Sequence, residues 1–156
     1  SWSVMNPLPS PIGQFQNIHF AGSDVLVCGD SGIFRWDGQN WQQESPAKCL
    51  DMHGIGTDTI YAVGASPNSL MKRKSNGQWD SSDDPAVRYM QAVYVAAAND
   101  IWLAGGYDKG LTAHGDGVSW TAIDSGMDAP GTRITGIGTK DLWLVGYAGM
   151  VLRQRR

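Results

Sequence analysis

Four times along this chain an aspartate opens a short apolar run that closes on a glycine. The copies are Ser23-Asp24-Val-Leu-Val-Cys-Gly29, Thr57-Asp58-Thr-Ile-Tyr-Ala-Val-Gly64, Asn99-Asp100-Ile-Trp-Leu-Ala-Gly105 and Lys140-Asp141-Leu-Trp-Leu-Val-Gly146. Each reads as a turn, a strand and a tight exit. A unit this small cannot bury an apolar face alone, so repetition implies stacking of like units, and the period decides the fold.

A second marker measures the period. Trp41 follows Asp37-Gly38, Trp79 follows Asn76-Gly77, and Trp120 follows Asp116-Gly117. Asp-Gly and Asn-Gly between extended runs signal hairpins, because both residues tolerate positive φ. The steps from Trp2 to Trp41, Trp79 and Trp120 are 39, 38 and 41 residues, and the length of 156 is four periods of 39.

Within each period the pattern predicts four strands, A to D. Unit one has 15–21, 24–29, 32–36 and 40–44. Unit two has 49–55, 59–64, 70–74 and 78–81. Unit three has 90–96, 100–105, 111–114 and 119–123. Unit four has 133–137, 141–146 and 150–153, and lacks strand D. The segment Ser1–Met5 reads as a strand D without a unit. The expected fold is all-β: a β-propeller of four four-stranded blades, closed by the N-terminal strand completing the last blade. The expected divisions of the single domain are 1–5 for the closing strand, then 12–45, 46–84, 85–125 and 126–156 for the blades. A strand from the same molecule has the higher effective concentration, which favours closure within one chain. The alternative is half of an eight-bladed ring formed by a homodimer.

The pattern of Gly32-Ile33-x-x-Trp36-Asp37-Gly38-x-x-Trp41 after an Asp-apolar-Gly strand resembles bacterial Trp-rich β-propeller repeat proteins. These are relatives of the BNR/Asp-box and photosystem assembly-factor propellers. The resemblance covers essentially the whole chain and implies the propeller fold. The turn before Trp41 and Trp120 is one residue shorter than Ser-x-Asp-x-Gly-x-Thr-Trp, a departure from the Asp-box of sialidases.

Composition excludes several classes. A net charge of −3 gives no general pull toward nucleic acid or an anionic membrane, and no apolar run approaches 18 residues. The N-terminus as given carries no signal peptide. An extracytoplasmic location is the expectation. Two cysteines make no disulfide framework. Cys28 aligns with Val63, Ala104 and Val145, while Cys49 opens the next strand A. Neighbouring blades bring the two close, so a disulfide and a free pair both remain open.

His19 and His53 occupy equivalent places in strand A, opposite Tyr94 and Thr135 of later units, where two imidazoles can face each other across the channel. Hydrogen-bonded core histidines are the expectation, and no metal site or cofactor is expected. Trp102 and Trp143 read as blade-to-blade packing and His114 as a rim residue. Lys72-Arg73-Lys74 and the arginines from Arg153 onward read as solvated outer strands.

Function is expected in the B-to-C loops, which vary more than the strands and share a face with the proline-rich D-to-A loops. Asp30, Asn68, Tyr107, Asp108, Lys109 and Tyr147 are the candidate ligand-binding residues. No catalytic constellation is recognised. The leading expectation is a non-enzymatic binding module for a protein, peptide or glycan partner, as monomer or homodimer. The alternatives are a BNR-type glycan hydrolase or lyase, and a propeller building block with no ligand of its own.

Overall fold

In the computed structural model, the residues described are 1–3, 8, 13–64 and 70–155. Fifteen strands form four antiparallel sheets. The first holds β1 (Phe15–Ala21), β2 (Asp24–Gly29), β3 (Gly32–Trp36) and β4 (Trp41–Ser45). The second holds β5 (Cys49–Ile55), β6 (Thr59–Gly64), β7 (Leu70–Arg73) and β8 (Trp79–Ser82). The third holds β9 (Met90–Ala97), β10 (Asp100–Gly106), β11 (Gly110–Gly115) and β12 (Trp120–Ile123). The fourth holds β13 (Gly131–Ile137), β14 (Asp141–Gly146) and β15 (Val151–Arg155). Every sheet is an up-and-down meander. This is the expected propeller architecture, one sheet to a blade.

The glycine that closes the recurring motif has a steric reason. A Cβ built on Gly29 would strike the carbonyl of Gln14, one on Gly105 that of Tyr89, and one on Gly146 that of Pro130. In blades one, three and four the end of strand B passes the chain just before strand A too closely for any side chain.

The core lies between blades. Strand pleat sends alternate residues to opposite faces. The face each sheet turns to the next blade meets the face the next blade turns back. Leu26, Cys28 and Ile33 pack with Met52, Ile60, Ala62 and Met71 between blades one and two. Tyr61, Val63 and Leu70 pack with Val93, Val95, Ile101 and Leu103 between two and three. Tyr94, Trp102 and Ala104 pack with Ile134, Leu142 and Leu144 between three and four. The cysteines are paired: the Cys28–Cys49 disulfide crosses the first junction, with Cα atoms 5.4 Å apart.

Among the described residues the end blades share no principal contact. The principal contacts link β1 to β5, β5 to β9 and β9 to β13, with none of comparable weight between the first sheet and the fourth. Nor is the expected closing strand seen among the described residues. Ser1–Ser3 form no strand, Trp2 is fully exposed, and the last sheet has three strands. Val4 and Met5 of that expectation lie outside the described residues. The physical reason is on the end faces. Phe20 on the first blade is 69% exposed and Val151 on the last is 59% exposed, so neither face is covered by the other. The four blades form an open arc.

Candidate functional site

The B-to-C loops are pinned to the D-to-A loops by backbone hydrogen bonds. The N–H of Asp30 donates to Gln14 O at 3.0 Å, that of Gly106 to Tyr89 O at 2.9 Å, and that of Tyr147 to Pro130 O at 3.1 Å. The two loop sets therefore share one end of the arc, as their order along the chain predicts.

The sequence candidates divide on inspection. Asp30 is occupied: one oxygen accepts from Gln14 N at 3.1 Å and the other pairs with Lys48 Nζ at 2.8 Å. The Lys48 hydrogen bond, then that from Gln14, hold its carboxyl below the ordinary value. It fixes the loop rather than presenting a free group. Asn68 lies outside the described residues. Tyr107, Asp108 and Lys109 are exposed, Tyr107 by 82%, and Tyr147 is 61% exposed at the start of a 3₁₀ turn (Tyr147–Gly149).

Sequence reasoning missed Tyr89. It is 56% exposed and adopts φ 61°, a left-handed conformation costly for a bulky residue. Asp84 caps the preceding 3₁₀ turn (Pro85–Val87) by accepting from Ala86 N at 2.8 Å. Tyr89 then turns outward while its carbonyl holds Gly106. The only sequence hint was its place between that proline turn and strand A. Three exposed tyrosines thus stand on neighbouring blades at the loop end, with Arg88, Asp108 and Lys109 around them. Gly131 abuts Ala104 and Gly105, which brings the Tyr147 loop beside that of Tyr107.

A second polar group lies along the inner strands. The ring centroids of His19 and His53 are 6.0 Å apart, and those of His53 and Tyr94 are 5.0 Å apart. Val95 N–H donates to His53 Nδ1 at 3.0 Å, which places the proton of the neutral ring on Nε2. Asp51 accepts from Val93 N at 3.0 Å and from Asn17 Nδ2 at 2.6 Å. These side chains staple three blades together. Burial lowers the pKa of both histidines, and the charge of His19 lowers that of His53 further. Burial raises the pKa of Asp51. His53 is hydrogen-bonded as expected, whereas His19 Nε2 is buried without a hydrogen-bond partner, and no group of three or more metal-capable side chains occurs among the described residues.

The basic residues are largely committed. Arg73 is buried, forming a two-point contact with Glu44 at 2.6 and 2.8 Å, and Trp79 Nε1 donates to the same carboxylate at 3.1 Å. This corrects the solvated-edge reading for Arg73 alone, since Lys72 and Lys74 are exposed. Lys72 lies over the Tyr61 ring and Lys74 pairs with Asp80. His114 is half-buried, with its Nε2 2.8 Å from Asp100 Oδ1. No described helix is long and apolar enough to cross a membrane.

No family model matches the chain, and no curated protein matches it. Among solved structures it is similar to one described as YCF48 bound to D1 peptide, with a TM-score of 0.69 and 17% sequence identity. The match covers 95% of this chain and 52% of that one, so this chain spans about half the neighbour's length. The likeness is one of fold.

Proposed function

We propose that the propeller arc is a non-enzymatic binding module, and that it takes an extended peptide or protein segment at its loop end across blades three and four. The observation that carries this reading is the set of exposed tyrosines, Tyr89, Tyr107 and Tyr147, on loops whose backbones are pinned to the strands beneath. Tyrosine offers a large amphipathic contact at low entropic cost, and a rigid base keeps that cost low. Asp108, Lys109 and Arg88 supply charges of both signs at the rim, suited to selecting a sequence rather than a simple polyanion. The propeller neighbour captured with a peptide supports a polypeptide ligand over a glycan.

The test is selection of a random peptide library on the immobilised protein. Enriched peptides should bind the parent and lose binding to a variant with all three tyrosines changed to alanine. Enriched peptides that bind both proteins equally, or no enrichment at all, would refute the assignment.

A further inference from the structure

The first two inter-blade cores are each sealed at the outer edge by a tryptophan from strand D of the later blade. Trp79 seals the core between blades one and two. Trp120 seals the next, meeting Tyr61 edge-on at 6.2 Å. Between blades three and four no such tryptophan is present among the described residues. In its place is a cavity of about 260 Å³ lined by Trp102, Ile134, Leu142, Leu144 and Leu152, with Ser125 at its margin. The Ser125 hydroxyl is buried without a hydrogen-bond partner. Beside this cavity β15 pairs only with β14 among the described residues, and no described strand covers its other edge.

The end faces carry the same signature. By register Trp143 corresponds to Trp102, Tyr61 and Leu26, and Val151 to Thr112, Leu70 and Ile33. The earlier residues are at most 6% exposed, whereas Trp143 is 40% and Val151 59% exposed. On the first blade Ile18 corresponds to Met52, Val93 and Ile134 and is 63% exposed, against 2%, 2% and 8% for those three. The last blade thus ends in a face built to receive a blade, and the first begins with a face built to be received.

We infer that a second copy of this chain packs its first blade on the last blade of the first copy and inserts its Trp2 into the cavity beside β15. Trp2 precedes Trp41 by one period, is fully exposed, and is the tryptophan in phase with Trp41, Trp79 and Trp120. Its segment adds an antiparallel strand to the open edge of β15, as strand D does in the other blades. Two-fold symmetry repeats the junction and closes eight blades. Insertion of a chain's own Trp2 would fill the cavity but leave Ile18, Phe20, Trp143 and Val151 bare, so the second copy covers more apolar surface.

A photoreactive phenylalanine at position 2, in a mixture of isotopically light and heavy protein, tests this. Expected are hybrid cross-links from position 2 to the peptides bearing Ser125 or Leu152. Phe20→Asp, at a site already exposed in the single chain, should abolish those cross-links and leave the β-sheet circular dichroism unchanged. Cross-links within one copy, to other peptides or none at all would overturn the inference, as would hybrid cross-links undiminished by Phe20→Asp.

Discussion

The indole of Trp102 stacks on the imidazole of His114, with centroids 4.3 Å apart and planes 26° from parallel, and both rings reach Asp100. Trp102 Nε1 donates to Asp100 Oδ1 at 2.7 Å, and His114 Nε2 lies 2.8 Å from the same oxygen. The arrangement is a blade-wide rule. The aspartate opening strand B meets a basic residue two places beyond its cross-strand partner, with a large residue between. Asp24 pairs with Arg35 at 3.1 Å, and Asp141 with Arg153, whose guanidinium lies over Trp143. Blade two breaks the rule: Thr59 takes the aspartate's place, and Lys72 is left over Tyr61.

Asp100 is 7% exposed, and its removal takes the shared acceptor from Trp102 Nε1 and His114 Nε2 at a largely buried site. Asp100→Ala should destabilise the protein by about 2 kcal/mol, lowering Tm by roughly 4–8 °C for a chain of this size. Asp141→Ala, at the uncovered last blade, should lower it less in the same calorimetric comparison.

Glu44 is shared by Arg73, Arg35 and Trp79 across the first junction. Glu44→Ala strands the buried Arg73 and should cost about 3–5 kcal/mol in urea unfolding. Replacing Glu44 and Arg73 together by leucine and methionine should recover most of that loss.

The Cys28–Cys49 bond closes a loop of 21 residues between two blades. Changing both to alanine should lower stability by about 2–4 kcal/mol. Mass spectrometry of the unreduced protein should show the two-proton deficit of one disulfide.

His19 and His53 titrate below the ordinary 6.5 because they are buried, His53 also because His19 faces it. Below 6.5 the unfolded chain then binds more protons than the folded one, so stability falls as pH drops through that value. Asp51, with its raised pKa, has the opposite sign at lower pH; the charge of Arg133 acts on Asp51, and the Tyr94 ring lies against His53. A His19→Asn, His53→Asn variant should show a flatter Tm profile between neutrality and mild acid.

Much of the fold was legible because each signal was local. The hairpin dipeptides and motif glycines place strand ends within one or two residues: 15–21, 24–29 and 32–36 match the structure outright, and 40–44 is shifted by one. The partners of the aspartates were not legible. His114 lies 14 residues from Asp100, and Arg73 lies 29 residues from Glu44, so only strand register and blade stacking bring them together. The binding candidates were half legible. Loop position marked Tyr107 and Tyr147, but the outward turn of Tyr89 depends on a backbone conformation that residue type does not announce. The period marked Trp2 as a strand D residue, yet period alone does not say which molecule's blade it completes.

The central claim is that four blades make an arc whose two ends are inter-blade faces for a second copy. Light scattering on the eluting protein at micromolar concentration tests it most directly. The account predicts a particle of twice 16.9 kDa that reverts to a single chain in Phe20→Asp. A particle of 16.9 kDa for the unmodified chain at every concentration would contradict it.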